Sequence, residues 1–442
     1  METGTIEKMV KILPKLRFQE FSDDWKKQPI GNQIDLLCGF AFKGNDISEE
    51  KNGIPILRGI NITEGYIRHS LDIDRYYCGN SRNLKKYFLK EGDLVLGMDG
   101  SKVGKNVAII SKQDSNSLLI QRVARIRSKQ NTSIKFIYHH IFSPRFHRYV
   151  DIVNTSSGIP HISAQQIKDF KIFFPSLPEQ QKIATFLSAV DKKIQQLTRK
   201  KALLETYKKG VMQKLFSQEI RFKDYNSSKN GILERDFPEW ERKKYGEIYS
   251  FLSTNSFSRD QLNYEKGDVK NIHYGDIHTK LPTLFNLKDE NIPFVNPEID
   301  ISRIKTENYC QEGDLVIADA SEDYKDIGKA IELIALNGEK VVGGLHTFIA
   351  RPAKGKISKG FSGYLMQSWK LRKQIMTIAQ GTKVLGLSVT RLKNLKLEIP
   401  SLEEQQKIAN YLSAIDKKSE AVSQQIDKMQ SFKKGLLQQM FV

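Results

Sequence analysis

The chain has 442 residues, 39% of them hydrophobic and 27% charged, a globular composition whose length predicts two or three domains at roughly 150 residues each. No apolar run approaches the roughly 20 residues that span a bilayer, and no basic segment leads into an apolar signal, so we expect a cytoplasmic protein. Lys and Arg number 70 against 51 Asp and Glu, a net charge of +19, which favours a polyanionic partner, nucleic acid first, although such a charge can also simply keep a protein soluble.

Residues 1–175 form the first of two variable segments, in which short β-rich runs alternate with turns. The pattern predicts strands at residues 54–57, 94–96, 107–110 and 123–126 and a helix around 134–146, typical of an α/β or α+β domain. The turn Glu91-Gly92-Asp93 precedes the second of these strands, and we interpret it as structural. With 27 Lys and Arg against 18 Asp and Glu, this segment is expected to bind phosphate more strongly than the second variable segment.

A long helix is predicted over residues 176–222. Its apolar residues recur at alternating spacings of four and three, the heptad pattern of a coiled-coil seam. Ser176 and Glu179, just after a proline, predict a capping box at its start. Roughly 40 residues at 1.5 Å each would make a rod of about 60 Å. The seam residues are Ile183, Leu187, Val190, Ile194, Leu197, Leu204, Val211 and Leu215.

The remainder of the chain follows the same order. After a linker at 223–235, residues 236–400 form a second variable segment, with strands expected at 315–317, 330–334 and 347–350 and a helix around 361–379. Residues 401–442 form a second long helix, again with a capping box, from Ser401 to Glu404. Its seam residues are Ile408, Leu412, Ile415, Val422, Ile426, Met429, Leu436 and Met440.

The two halves are an internal repeat. Residues 175–184 match 400–409 in nine of ten positions, at an offset of 225. The box Glu-Gly-Asp-Leu-Val at 91–95 returns at 312–316, Gly-Lys at 104–105 returns at 328–329, and the acidic-Trp pair at 24–25 returns at 239–240. Each half is therefore a variable domain followed by a near-constant helix.

Two matched seams in one chain can supply each other's partner, whereas a single seam could belong to an ordinary core-facing helix. The linking domain must return the chain, so we predict an antiparallel coiled coil with a pseudo-two-fold axis and a variable domain at each end. Such a molecule would bind two separate, inverted half-sites in duplex DNA at a spacing fixed by the helices. Gly210 and Gly435 lie at matched places late in the helices. They predict either a close approach by another backbone or, alternatively, a tolerated surface glycine or an early helix end.

Base readout would come from loop side chains, with Arg and Lys suited to guanine, Asn and Gln to adenine, and aromatics to sugars or bases. Many such residues could equally be solvated surface groups. The candidates in the first domain are Lys43, Arg58, Asn61, Arg68, Lys102, Lys105, Arg122 and His161. The candidates in the second domain are Asn271, His273, Tyr274, His278, Lys325, Lys329, His346 and Lys383.

The sequence shows no catalytic constellation. It contains no Gly-rich nucleotide-binding motif, no HExxH, no GxSxG and no amino-methyltransferase tetrapeptide. Cys38, Cys78 and Cys310 are odd in number and far apart, so we expect neither a disulfide framework nor a metal site. These absences predict a binding protein rather than an enzyme.

The duplicated PSLxEQQKIA boxes at 175–184 and 400–409, the paired EGDLV boxes and the domain openings at Trp25 and Trp240 resemble the specificity (S) subunit of type I restriction-modification enzymes. The resemblance covers nearly the whole chain. It implies an α+β fold of two target recognition domains separated by two long helices in an antiparallel coiled coil. It further implies two modification (methyltransferase) subunits and restriction/translocase subunits as partners, double-stranded DNA as ligand, and adenine methylation directed at both strands of a bipartite site.

On the same resemblance, this chain holds no cofactor, and S-adenosylmethionine and ATP with Mg belong to the partner subunits. One alternative within the field is a silent or orphan targeting subunit of a related restriction system. Another, from a different class, is a coiled-coil scaffold that binds proteins only. Salt dependence separates the classes, because the logarithm of a DNA-binding protein's affinity falls linearly with the logarithm of the salt concentration.

Overall fold

A computed structural model describes residues 13–154, 158–228 and 231–441. The chain divides into two compact units, one formed by residues 1–198 with 424–442 and the other by residues 199–423. Each unit thus combines one β-rich segment with a part of each long helix. Among the described residues, no helix is both long and apolar enough to cross a membrane.

Helices range from single turns to two helices of 40 and 39 residues. The α-helices are α1 Ile134–Ile141, α2 Pro144–Val153, α3 Ala164–Asp169, α4 Leu177–Phe216, α5 Tyr245–Ile248, α6 Tyr274–Thr279, α7 Phe361–Gln367, α8 Trp369–Ile378, α9 Val389–Leu392 and α10 Leu402–Met440. Short 3-10 helices lie at Ile30–Asn32, Gly44–Asp46, Gly59–Asn61, Arg82–Tyr87, Arg259–Gln261 and Thr306–Asn308.

The strands of the first unit are β1 Lys26–Pro29, β2 Ile34–Cys38, β3 Ile47–Ser48, β4 Ile54–Leu57, β5 Arg75–Tyr77, β6 Leu94–Gly97, β7 Val107–Ile109, β8 Leu118–Leu119, β9 Val123–Ser128 and β10 Lys171–Phe174. They form an antiparallel sheet of order β2-β9-β6-β7, a mixed sheet of order β3-β5-β4-β8, and the pair β1-β10. Leu94 and Leu96 of β6 are fully buried in the main core of this unit. The loops that leave β4, β6 and β8 carry the candidate residues discussed below.

The strands of the second unit are β11 Lys223–Ser228, β12 Gly231–Asp236, β13 Glu241–Lys244, β14 Tyr249–Leu252, β15 Leu262–Asn263, β16 Lys270–Ile272, β17 Leu284–Asn286, β18 Phe294–Val295, β19 Leu315–Ala318, β20 Ala320–Ser321, β21 Ala330–Ala335, β22 Val341–Gly343, β23 Thr347–Pro352, β24 Leu385–Gly386 and β25 Lys396–Ile399. The main sheets have the orders β14-β23-β19-β21-β17 and β15-β18-β16-β22. Strands β11 and β12 form a hairpin over the segment expected to be a linker. The central pairing β6-β9 of the first unit recurs here as β19-β23.

The structure confirms the seven predicted strands, each at its predicted start. Each of the two predicted shorter helices is instead a pair of helices, α1 with α2 and α7 with α8. Proline cannot continue the hydrogen-bond ladder of a helix, and Pro144 opens α2 while the Ser143 hydroxyl accepts the N–H of Phe146 at 3.4 Å. In the second unit the extended backbone of Ser368 makes the corresponding break.

The long helices pair antiparallel. In the first unit the beginning of α4 shares a core with the end of α10, and the Lys433 ammonium lies 2.6 Å from the Asp191 carboxylate. In the second unit the end of α4 shares a core with the beginning of α10, and Lys208 lies 2.6 Å from Asp416. The structure buries or half-buries all sixteen seam residues named above. Lys208 and Lys433 also fall on the four-and-three spacing of the two seams, and each is neutralised by a carboxylate of the facing helix.

The beginning of each long helix is held by a buried glutamate. Glu179 accepts hydrogen bonds from Arg17 Nε (2.7 Å) and Nη2 (2.8 Å) and from the Trp25 indole at 3.3 Å. Glu404 accepts matching bonds from Arg221 and Trp240, at 2.7 Å and 3.0 Å. The carboxylates predicted to close capping boxes thus each bind an arginine and a tryptophan from an earlier part of the chain.

The matched glycines face open space. Outside its own helix, a Cβ added at Gly210 or at Gly435 would meet no described atom within 4 Å. The alternative of a close backbone approach within the chain is therefore wrong for the described residues. Gly210 is exposed and Gly435 is half-buried. Both helices continue beyond these glycines, to Phe216 and Met440, so the alternative of an early helix end is wrong.

Candidate nucleic-acid interface

A basic cleft of about 580 Å³ opens in the first unit. It lies beside the loop after β4, the loop after β6 and the turn before β9, which bring together residues that are distant in sequence. Four of the predicted residues line it: Arg58, Arg68, Lys102 and Arg122. Asn106 and Gln121 also line the cleft, and their side-chain amides are groups suited to adenine.

The loop that carries Arg58 and Arg68 is held in place by internal hydrogen bonds. The Arg58 guanidinium donates to the carbonyl of Ile73 at 3.1 Å, and Arg68 Nε donates to the carbonyl of Ile60 at 2.9 Å. Asn61 is only 1% exposed, and its side chain accepts from the Arg58 N–H and donates to Asp74. Asn61 therefore shapes this loop and is buried away from a DNA surface, contrary to its expected role in base readout.

A histidine that the sequence reasoning missed ties this loop to its neighbour. His69 Nε2 lies 2.8 Å from Asp114 and Nδ1 lies 3.2 Å from Asp74. Burial alone would lower the pKa of His69, but the hydrogen bonds to both carboxylates outweigh it and raise the pKa above its ordinary value. A His flanked by Asp residues in two different loops has no linear motif, so only the fold could reveal it.

The other predicted residues of the first unit lie around this cleft or away from it. His161 forms an antiparallel backbone bridge with Asp99, a lining residue. Lys43 and Lys105 are exposed but are not among the residues that line the cleft. The structure therefore brings together five of the eight predicted positions.

In the second unit the predicted residues form an aromatic and imidazole cluster. The Tyr274 ring centroid lies 4.7 Å from that of His273, 6.2 Å from that of His278 and 5.3 Å from that of His346. Lys329 joins the cluster by donating to the carbonyl of His278 at 2.7 Å. Helix α6 supplies the first part of this cluster, and the turn before β23 supplies His346.

Three predicted residues of the second unit lie apart from this cluster. Lys325 and Lys383 are exposed on other loops. Asn271 lies in β16 and is fully buried, and neither atom of its side-chain amide has a hydrogen-bond partner among the described residues. Burial excludes a direct role for Asn271 in base readout in this conformation, because a base edge cannot reach it.

The charge of this cluster depends on its surroundings. Burial lowers the pKa of His273, and the nearby positive charge of Arg259 lowers it further. Burial raises the pKa of Asp319, although the adjacent His346 opposes the change. The cluster therefore presents hydrogen-bonding rings with less fixed positive charge than the arginine-lined cleft of the first unit.

The arrangement suits binding rather than bond-breaking chemistry. Within the described residues, no group of three or more His, Cys, Asp or Glu side chains could hold a metal ion. The aspartates of the EGDLV boxes have a structural role, since Asp93 binds Arg127 and Asp314 binds Arg351, each with an arginine Nη2 at 2.8 Å. The cleft and the ring cluster carry cationic, amide and aromatic side chains, the groups that contact phosphates and bases.

Comparison with known proteins identifies the family. Residues 22–206 and 238–430 each match the model of the type I restriction modification DNA specificity domain. The chain is 25% identical to the type I restriction enzyme MjaVIII specificity subunit of Methanocaldococcus jannaschii, over 94% of this chain and 91% of that protein. It is 21% identical to the EcoBI specificity subunit of Escherichia coli, over 92% of this chain and 82% of the relative.

The fold agrees with these matches. The chain is similar in structure to the crystal structure of the type I restriction-modification system S subunit from M. genitalium. The match covers 98% of this chain and 99% of the M. genitalium chain, with a TM-score of 0.58 and 16% sequence identity. Because two copies of the family's domain cover most of the sequence, the chain belongs to the type I restriction-modification DNA specificity family.

Proposed function

We propose that this chain is the DNA-reading subunit of a type I restriction-modification complex, in which each target recognition domain reads one half of a bipartite site. The paired helices would set the spacing of the half-sites and dock two modification subunits, with restriction/translocase subunits joining that assembly. The observation that carries the proposal is the basic cleft of the first unit, which is lined by three arginines, a lysine and the amide-bearing residues Asn106 and Gln121.

The cleft combines the two kinds of contact that a sequence reader needs. Side chains such as Lys102, which is 63% exposed, can contact phosphates without regard to sequence. The adjacent amides and Arg122 have the donors and acceptors that distinguish bases in the major groove. In the second domain the ring cluster around Tyr274 would contact the bases of the other half-site.

The helix pair supports a docking role. Gly210 and Gly435 are matched, lie within helices and have open space above them, although glycine within a helix costs about 1 kcal/mol relative to alanine. A partner backbone approaching these faces would account for the absence of a side chain. One modification subunit at each face would match the internal repeat.

In this assembly the chemistry belongs to the partners. The modification subunits would hold S-adenosylmethionine and methylate adenine on both strands, while the restriction/translocase subunits would hold ATP with Mg. The present chain would recognise the DNA sequence and set the spacing between the two half-sites.

The test is a methylation map at base resolution of a host that carries this chain with its partner subunits, compared with the same host lacking only this chain. We expect a split motif, methylated on both strands, that disappears in the deletion. Matching maps, with the protein expressed and its partners present, would refute the proposal for this copy.

DNA binding by the purified complex distinguishes a DNA-reading subunit from a coiled-coil scaffold that binds proteins only. A DNA-reading subunit should lose affinity linearly in a plot of log affinity against log salt, with a slope of several units, and should prefer the mapped motif. Weak binding without sequence preference would favour a protein-binding scaffold.

A further inference from the structure

Arg122 and His346 occupy the same position in the two domains. The offset of 224 that relates Gly104-Lys105 to Gly328-Lys329 also relates Arg122 to His346. Each residue immediately precedes a central strand, β9 in one domain and β23 in the other. The first residues of these strands, Val123 and Thr347, pair with matched residues of β6 and β19.

Both residues have a left-handed backbone, with φ of 64° at Arg122 and 54° at His346. This conformation is uncommon for residues with side chains, and holding a residue in it is energetically unfavourable. A backbone bond from the facing loop stabilises each turn, from the Met98 N–H to the Arg122 carbonyl and from the Asp319 N–H to the His346 carbonyl, both 3.0 Å. The same uncommon turn occurs in both copies. This indicates that both domains direct the side chain at this position in the same way.

An aspartate from that facing loop contacts each side chain. Arg122 Nη1 lies 3.0 Å from Asp99, and His346 Nδ1 lies 3.2 Å from Asp319. The two cationic or hydrogen-bonding side chains are nevertheless 57% and 50% exposed. Each is therefore oriented by a carboxylate while remaining accessible to a ligand.

The chemistry of the two side chains differs. Arg122 has five N–H donors in a planar fork, and the aspartate contact leaves enough of them to meet both the O6 and N7 acceptors of a guanine. His346 directs Nδ1 at Asp319, which favours a proton on Nδ1 and makes Nε2 an acceptor for the amino group of adenine or cytosine. The matched positions thus carry different base preferences on one backbone geometry.

We propose that Arg122 and His346 are the paired specificity-determining residues of the two domains, Arg122 reading a guanine in one half-site and His346 reading an amino-bearing base in the other. This inference rests on the proposed function and deepens it. Asp99 and Asp319 act as positioning residues that hold the two side chains toward the groove.

The experiment uses the complete complex with its modification subunits and the motif obtained from the wild-type methylation map. Binding is measured for duplexes that carry the motif and every single-base substitution of it, at several salt concentrations. The variants are Arg122→Ala, His346→Arg and, as a control in the same cleft, Lys102→Ala. Melting temperatures of all variants identify any that fail to fold.

For Arg122→Ala we expect the preference for guanine at one base pair of one half-site to fall by about 10- to 100-fold, with the other half-site unchanged. For His346→Arg we expect one position of the other half-site to shift towards guanine. Lys102→Ala should weaken binding to all duplexes alike and reduce the salt slope by about one.

Two results would overturn the inference. One is a folded Arg122→Ala complex that discriminates as the wild type does. The other is a uniform loss of affinity in Arg122→Ala that matches Lys102→Ala, which would make Arg122 a phosphate contact. A wild-type complex that shows no motif at all would instead refute the proposed function, so the two failures are distinguishable.

Discussion

Replacing Arg17 by Met should destabilise the first unit much more than loss of a surface ion pair would. The Glu179 carboxylate is fully buried and the Arg17 side chain is 12% exposed, so the variant leaves a buried carboxylate without its cation. Removing one partner of a buried pair costs about 3–5 kcal/mol. The Trp25 indole still donates to Glu179 at 3.3 Å, which places the expected cost near the lower end, at about 3 kcal/mol.

The assay is thermal unfolding of the full chain, followed by calorimetry and by tryptophan fluorescence. For a unit of this size each kcal/mol lowers the melting temperature by roughly 2–4 °C, so we expect a decrease of roughly 6–12 °C. The double variant Arg17→Met with Glu179→Gln removes the stranded charge and should be more stable than Arg17→Met alone. Arg221→Met should have a similar effect in the second unit, where Arg221 pairs with the buried Glu404.

A matched control is Glu64→Gln, which breaks an exposed pair with Lys102 at 3.3 Å. We expect a change of less than about 1 kcal/mol there. A loss of less than about 1 kcal/mol in Arg17→Met, or a double variant less stable than the single one, would refute the idea that Glu179 is an uncompensated charge without its arginine.

Three further predictions concern assembly and pH. Leu187→Asp places a charge at a fully buried seam position and should abolish assembly with the modification subunits, measured by size-exclusion chromatography. An intact complex with altered base choice would contradict the proposal that the paired helices set spacing and docking but do not read bases. The two carboxylate partners of His69 raise its pKa, so its contribution to stability should be present below about pH 6.5 and be lost as the pH rises through the raised pKa. His69→Gln should remove this pH dependence from the measured free energy of unfolding. Burial raises the pKa of Glu332 to about 7, although the N–H groups of Gly360 and Gly363 that bind it oppose the change. The stability of the wild type should therefore fall relative to that of Glu332→Gln as the pH rises from about 4.5 to 7. Parallel profiles of unfolding free energy against pH would contradict this.

The sequence was sufficient to predict the elements that depend on local pattern. The heptad spacing gave both long helices, and the repeat gave their pairing, because a period of this length restricts which faces can be buried. The strands followed from short β-rich runs bounded by turns. The division at Ser143 was missed although Pro144 marks it in the sequence. The division at Ser368 depends on one extended residue that no local motif indicates.

The candidate site was only partly predictable, since convergence of loops is a property of the fold. Arg58, Arg68, Lys102 and Arg122 were chosen for their residue type, and the structure brings them to one cleft. Asn61 was chosen by the same reasoning but is buried, because a loop asparagine can satisfy the backbone of its own loop as readily as a base. Residue type therefore identifies candidate DNA-contacting residues, and burial in the fold separates the structural ones from those that a base could reach.

The internal repeat provides a second criterion, which separates structural positions from reading positions. Where the two copies share both place and chemistry, the contact is internal: Glu179 and Glu404 each bind an arginine and a tryptophan, and buried aspartates of both EGDLV boxes bind arginines.

Where the copies share place but differ in chemistry, the side chain is exposed and directed by a carboxylate, as at Arg122 and His346. A scaffold that binds only proteins gives no reason for a retained left-handed turn to present different side chains. Two domains that read different half-sites require that combination, because the backbone must place a reader at the groove in both while the reader itself must differ.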